Sequence, residues 1–507
     1  MLETVDLNRK VEKEVYKEEI EPLRNRLGVL QQEVKEAGLP VIILFEGWGA
    51  AGKGSVISDV ILAMDPRGFK TYSITKRTED EKRKPLLWRY WTKIPLYGKF
   101  SIFDCSWYQD VTDDRMDEEI SQEELDHRID SINVFERQLV DDGYLVLKFF
   151  LHIGKKEQKK RFEKLEASSN TSWRVTKENW KQNKHYEKAY DAYEYALKKT
   201  HTDYAPWNVI AATDQRSAEL DIFKTIVRSI ESALSHKKNG TPISIGPASW
   251  DSVKPFTVRV EKQEFTMVGM QDLKNVPLDQ HMEPEIYKAE LKKARKELHE
   301  LHNELYRAKR PVIIAYEGWD AAGKGGNIKR VASGLDPRGY EVIPVASPTP
   351  DEKQRQYLWR FWTKLPRTGH ITIFDRTWYG RVMVERLEGF CTEDEWKRAY
   401  QEMNEFEKEL SDWGAIIFKF WVQIDKDEQL RRFTDRQNTP EKQWKITDED
   451  WRNREKWDVY EVAVNEMLQK TSTEFAPWYI IQSQDKKYAR IQSMNILINR
   501  IRKELEG

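Results

Sequence analysis

Cysteine is nearly absent from this chain: Cys105 and Cys391 are the only two in 507 residues. They give no disulfide framework and no zinc-ligand spacing. No apolar run reaches 18 residues and the first residues do not read as a signal peptide, so no membrane partner is expected. An excess of either charge is also missing. Lys and Arg total 84 against 85 Asp and Glu, a formal net charge of −1. Any groove for a polyanion must therefore be local and compensated elsewhere. The sequence holds no Asn-Lys-x-Asp guanine motif and no nucleic-acid recognition module, which argues against a GTPase and against a specific nucleic-acid partner. What is present is a soluble globular balance, 33% charged and 39% hydrophobic residues, expected in a reducing cytoplasm. The 19 Trp are expected mainly in the core.

One stretch organises the rest. The apolar run Pro311-Val312-Ile313-Ile314-Ala315-Tyr316 leads into Gly318-Trp319-Asp320-Ala321-Ala322-Gly323-Lys324-Gly325, and a helical pattern follows from Asn327 to Leu335. Strand, G-x-x-x-x-G-K, helix is the order of a phosphate-binding P-loop. The amides of Gly318, Ala322, Gly323 and Gly325 are expected to face one anion, with Lys324 adding a point charge. The residue after Lys324 is Gly325, where a Ser or Thr commonly ligates magnesium. Asp320 could supply that oxygen instead.

The stretch occurs twice. Gly47-Trp48-Gly49-Ala50-Ala51-Gly52-Lys53-Gly54 matches it at an offset of 271 residues, from 47 to 318. The same offset maps Asp65-Pro66-Arg67-Gly68 onto Asp336-Pro337-Arg338-Gly339 and Ala205-Pro206-Trp207 onto Ala476-Pro477-Trp478. A constant offset over this span means tandem duplication of a domain of roughly 230 residues. The expected division is an N-terminal domain at 1–235, a partly ordered linker at 236–275 and a C-terminal domain at 276–507. The linker carries turn signals at Asn239-Gly240-Thr241-Pro242 and Ile245-Gly246-Pro247, and Phe256 to Val260 could form a short strand.

Each copy reads alike. An amphipathic helix (10–36 or 283–309) precedes a buried strand (41–45 or 312–316), the P-loop and its helix. In the second copy a strand near 340–345 and one at 371–374 follow, then a helix near 393–412, a strand at 415–422, a basic helical region at 427–470, a strand at 479–481 and a last helix. Alternating β and α elements with apolar strands predict an α/β fold. Each domain is expected to be a parallel β-sheet flanked by helices, P-loop kinase-like, with a helical lid.

Asp375, at the end of an apolar strand downstream of the P-loop, is a candidate metal ligand beside Asp320. A salt-bridged or capping Asp is the plainer alternative. Glu385 is a further metal candidate, or else a solvated helix residue. Arg376 and Arg381 could stabilise a reacting phosphoryl group, or simply pair with nearby acids. Lys329, Arg330 and the basic region around Arg431 and Arg436 could line a path for bound phosphates and a lid over them, although such charge runs are often only solvated faces.

The two copies are unequal. Asp320 is matched by Gly49, Lys329 and Arg330 by Ser58 and Asp59, Arg376 by Cys105, Arg381 by Asp110, and Arg436 by Leu165. The first copy keeps Lys53 and Asp104 but loses a metal ligand and much cationic charge. The second copy is therefore expected to do the chemistry.

Taken together, Gly318 to Gly325, Asp336 to Gly339, Tyr357-Leu358-Trp359-Arg360-Phe361-Trp362 and Phe374-Asp375-Arg376-Thr377-Trp378-Tyr379-Gly380-Arg381-Val382 resemble the polyphosphate kinase type 2 family. The resemblance covers most of the chain. It implies a thymidylate-kinase-like P-loop fold with a lid, Mg2+ as cofactor, and inorganic polyphosphate and AMP as substrates, with ADP as product. It implies active-site roles for Asp320, Lys324, Asp375, Arg376, Arg381 and Glu385, and lid roles for Arg431 and Arg436. An ATP-dependent nucleoside monophosphate kinase and a non-catalytic polyphosphate-binding protein stand as alternatives. Homo-oligomerisation is left open.

Overall fold

The computed structural model describes residues 1–116, 120–241, 257–258, 260 and 262–506. Most of the linker signals, from Pro242 to Phe256, lie outside the described residues. Val258 forms an isolated bridge to Thr202.

Two compact units are present, and neither is contiguous in sequence. The first comprises Met1–Arg77, Arg89–Glu261 and Pro350–Gln356; the second comprises Thr78–Trp88, Lys262–Thr349 and Tyr357–Gly507. Within the second unit the short segment is held by specific bonds. The Thr368 amide donates to the Arg83 carbonyl at 2.9 Å, and Arg83 Nη2 donates to the Thr368 carbonyl at 2.9 Å. Within the first unit, the Tyr97 amide donates to the Gln354 carbonyl at 2.8 Å.

The first unit holds strands β1 (Val41–Gly47), β2 (Phe69–Ser73), β3 (Phe100–Asp104), β4 (Leu145–His152) and β5 (Trp207–Ala211) in the order β2-β3-β1-β4-β5. The second holds β6 (Val312–Gly318), β7 (Tyr340–Pro344), β8 (Ile371–Asp375), β9 (Ile416–Gln423) and β10 (Trp478–Gln482) in the equivalent order β7-β8-β6-β9-β10. All pairings are parallel. The central strands β1 and β6 are buried along their length, as strands covered on both faces by helices must be. The register pairs Tyr316 with Asp375, so the P-loop and Asp375 leave the sheet side by side at its carboxyl edge, where ligands bind in such folds.

The entry helices span Lys13–Ala37 and Pro284–Arg307, the latter burying Ala294, Leu298, Leu301 and Leu305. Leu291, of the same predicted stripe, is only half-buried. The P-loop helix covers Lys324–Ala332. It starts three residues before the predicted Asn327, because the loop lysine itself opens the helix. Several tryptophans are core residues as expected, Trp48, Trp91, Trp107 and Trp378 among them. Each core also contains an ion pair that sequence inspection overlooked: Lys148 with Glu136 and Lys419 with Glu407, both at 2.7 Å and fully buried.

Candidate active site

The P-loop is shaped by backbone that few residues tolerate. At Gly318 φ is +149°, and a Cβ there would lie 2.5 Å from the Val422 carbonyl oxygen, so only glycine fits between the neighbouring strands. Trp319 then stacks on Trp457 at 3.7 Å and donates to Gln423 Oε1 at 2.9 Å. These contacts fasten the loop to the helix Trp457–Thr471 and leave Asp320 at the mouth of the site. Lys324 Nζ donates to the carbonyls of Gly318 at 2.6 Å and Trp319 at 3.3 Å.

Asp320 is the junction of three elements. Its Oδ1 is 3.4 Å from Arg376 Nη2, on the turn after β8. Its Oδ2 accepts from Asn453 Nδ2 at 3.2 Å, on the lid helix Asp448–Glu455. Arg376 adopts φ +65°, a left-handed conformation that a non-glycine residue holds only when its surroundings impose it. Glu317 contributes that constraint. Its Oε1 accepts from the Thr377 amide at 2.7 Å and from the Thr377 hydroxyl at 2.8 Å. Burial raises the Glu317 carboxyl to about 6. Sequence reading missed this carboxylate, although a Glu immediately before the P-loop Gly-Trp in both copies was a usable signal.

Asp375 sits at the end of β8, and its carboxylate has no hydrogen bond among the described residues. Arg381 is mostly buried and takes the partner that was expected to bind metal: its Nε is 3.1 Å from Glu385 Oε2, and its guanidinium lies 4.5 Å from the Tyr357 ring centroid. Glu385 thus faces a guanidinium. That leaves Asp320 and Asp375 as the carboxylates at the mouth of the loop, and no group of three or more His, Cys, Asp or Glu able to hold an ion occurs among the described residues. Two carboxylates suit magnesium, which keeps waters and takes the remaining ligands from substrate phosphates. They do not suit a resident metal caged by protein alone.

The basic region resolves into four helical pieces, Lys426–Gln437, Pro440–Lys445, Asp448–Glu455 and Trp457–Thr471. Arg431 is exposed and pairs with Glu428 and Asp435; Arg436 is half-buried on the same helix. Between them, buried Arg432 does something different. Its guanidinium donates to the carbonyls of Ala321 at 3.0 Å, Ala322 at 2.7 Å and Gln484 at 3.2 Å. It braces the P-loop against the turn after β10. Arg161 makes the matching bonds in the first unit, so this arginine belongs to the scaffold.

Two further cations lie near the loop that sequence reading did not select. Burial, with Arg432 next in effect, pushes Lys486 down to about 8. The Gly326 Cβ position is 3.3 Å from Arg490 Nη2. Against the upward push of burial, hydrogen bonding by Arg490 and Arg330 holds the Tyr287 phenol below its usual value. Arg330 thus joins a cationic cluster on the P-loop helix, while Lys329 is exposed beside it.

In the first unit the same framework is chemically altered. Cys105 replaces Arg376 and keeps the left-handed φ, +59°; burial pushes its thiol up. Asp110 replaces Arg381 and accepts from the Tyr90 hydroxyl at 2.8 Å. Asp59 and Glu219 stand where Arg330 and Arg490 do, and Glu219 pairs with Arg24 at 2.8 Å. Where Asp320 would be, Gly49 is hemmed in: a Cβ would lie 3.0 Å from Asn179 Nδ2, 3.1 Å from Phe162 and 3.3 Å from Gln182 Oε1.

Comparison with known proteins places these features in context. The polyphosphate kinase 2 (PPK2) family matches residues 10–238 and 281–506. A polyphosphate:AMP phosphotransferase of Pseudomonas aeruginosa is 38% identical over 498 residues, 98% of each chain. One of Pseudomonas syringae pv. tomato is 37% identical over 98% of this chain and 97% of its own. One of Acinetobacter johnsonii is 35% identical over 91% of each. A crystal structure of a polyphosphate kinase 2 from Pseudomonas aeruginosa PA01 superposes with a TM-score of 0.85 at 36% identity, covering 100% of both chains. With both halves matched by one family and full-length relatives sharing the tandem arrangement, this chain belongs to the polyphosphate kinase 2 family.

Proposed function

We propose that the protein transfers the terminal phosphoryl group of inorganic polyphosphate to AMP, forming ADP, and that the second unit carries the reaction. The observation that carries the assignment of labour is the Asp320–Arg376–Asn453 cluster at the mouth of the second P-loop, which the first unit replaces with Gly49, Cys105 and Gln182. Full-length similarity to polyphosphate:AMP phosphotransferases supports the choice of donor and acceptor.

The AMP phosphate loses its second proton near pH ~6, so its attacking oxygen is already ionised at neutral pH. The task is to hold two polyanions in line against their repulsion. Lys324 and the amides of Gly318, Ala322, Gly323 and Gly325 bind the donor phosphates. Lys329, Arg330, Arg431 and Arg436 extend the cationic path along the polyphosphate. Arg376 reaches the transferring group, and Arg381, fixed by Glu385 and Tyr357, supplies a second guanidinium. Asp320 and Asp375 would hold Mg2+, which when bound neutralises phosphate charge. Asp320 also keeps Arg376 and the lid residue Asn453 in register. Among the described residues no helix is long and apolar enough to cross a membrane, and both cysteines are free thiols, in keeping with a cytoplasmic setting.

The test supplies AMP or ADP with magnesium and either polyphosphate or ATP, and follows product nucleotides. ADP from AMP with polyphosphate is the expected result. ADP formed with ATP alone would identify an ordinary nucleoside monophosphate kinase, and no product with any pair would leave a binding protein.

A further inference from the structure

The first unit retains an open cleft of about 1070 Å³ between its P-loop helix, Lys53–Leu62, and the lid segment from Glu157 to Asn179. That is at the upper end of the size of small-ligand sites. Its two sides have changed to different extents.

On the acceptor side the charged groups are gone and the space is filled. Gln182 Oε1 accepts from the Gly49 amide at 3.1 Å and from Gln158 Nε2 at 2.8 Å, and Gln182 Nε2 donates to the Tyr193 hydroxyl at 2.9 Å. This neutral amide network occupies the position where the second unit presents Asp320. With Cys105 and Asp110 in place of two arginines, nothing there can neutralise a transferring phosphoryl group.

On the donor side positive charge is thinned but not abolished: Ser58, Leu165 and Gln215 line the cleft where the second unit has Lys329, Arg436 and Lys486, while Lys53 and three lid cations remain. The loop turn is intact, with Lys53 opening the helix as Lys324 does. The lid contributes Lys160, Lys164 and Arg174 to the cleft lining. Lys164 matches Asp435, which in the second unit pairs with Arg431 at 2.9 Å. The first unit thus carries a lysine where the second carries an acid. Neither Lys164 nor Arg174 has a carboxylate partner among the described residues. Asp59, on the loop helix, and Glu219 replace Arg330 and Arg490, so the cationic path is short.

We propose that the first unit is a non-catalytic receptor for a short chain of phosphoryl groups, held between its P-loop and the lid cations Lys164 and Arg174. The shared chemistry is a linear oligophosphate, either inorganic or carried on a nucleoside. The inference does not rest on the reaction assigned to the second unit, and AMP phosphorylation measured on the same preparation reports that reading separately.

The test is isothermal titration calorimetry of the full chain, without AMP, using inorganic tripolyphosphate in one arm and ATP in the other. Two sites per chain are expected for tripolyphosphate. Lys324→Ala should leave one of them. Adding Lys164→Glu and Arg174→Glu, both on the lid surface, should weaken that remaining site about tenfold or more, a change of about 1.4 kcal/mol or more. If ATP also fills it, the phosphate chain alone is recognised; if it does not, the inorganic chain is the ligand. A single site in the unmodified chain that Lys324→Ala abolishes would overturn the proposal. So would a remaining site indifferent to the two lid substitutions.

Discussion

Asn453 Nδ2 donates to Asp320 Oδ2 at 3.2 Å, whereas Gln182, at the matching position of the first unit, reaches the Gly49 amide itself. One methylene group separates a lid that leaves room for a carboxylate from a lid that fills the room. Asn453→Gln should therefore push Asp320 out of register with Arg376. The expected loss in kcat is about 10²-fold, the scale of an ångström misplacement, with the thermal midpoint little changed. Steady-state kinetics beside a melting curve checks this.

Arg376 and Cys105 occupy one position of the repeat and share its left-handed backbone. Arg376→Ala should lower kcat/KM by about 10²–10³-fold, as expected when a donor to developing charge is removed. Cys105→Ala should stay within about twofold of the unmodified chain. Equal losses at both positions would mean that both units turn over.

Much of the fold was legible because duplication doubled the signal. Apolar strands at a fixed offset, glycines at the loop and an aspartate at a strand end mark the sheet and its carboxyl edge without coordinates. The charge asymmetry at 320, 376 and 381 was legible for the same reason. What sequence could not show was pairing. Glu385 looked like a ligand, yet it faces Arg381 at 3.1 Å, because which acid meets which guanidinium depends on how the turn after β8 folds. Arg432 and Arg431 are neighbours in a basic run, but helical periodicity buries one against the P-loop carbonyls and leaves the other in solvent. The non-contiguous units were likewise hidden, since the hydrogen bonds of Thr78–Trp88 fall on residues almost three hundred positions away.

Lys486 gives a pH dependence with a defined sign. Burial, and then Arg432, hold it near 8 in the free protein, with Arg431 and Arg436 adding to the effect and Glu428 opposing it. A phosphate chain bound beside it would favour its charged form and raise that value. Binding should then take up protons as pH rises through about 8, and affinity should fall with pH above that point. Calorimetry of polyphosphate binding in buffers of different ionisation enthalpy measures the uptake. Lys486→Met should abolish it.

The buried pair Lys419–Glu407 predicts a stability effect. Lys419 Nζ is 2.7 Å from Glu407 Oε2 and 2.9 Å from the Tyr379 hydroxyl, with both charged side chains fully buried. Lys419→Met strands Glu407 in a dry core and should cost about 3–5 kcal/mol. Combining it with Glu407→Gln should recover part of the loss, because the uncompensated charge is then gone. Urea unfolding of the four proteins in this cycle reads the coupling.

The central claim is that Asp320 organises the chemistry of the chain, and Asp320→Asn in the full-length protein tests it most directly. The substitution keeps the shape and removes the charge. The initial rate of ADP formation from AMP, polyphosphate and magnesium is predicted to fall by about 10²-fold or more, while the protein stays folded. An undiminished rate would contradict the account.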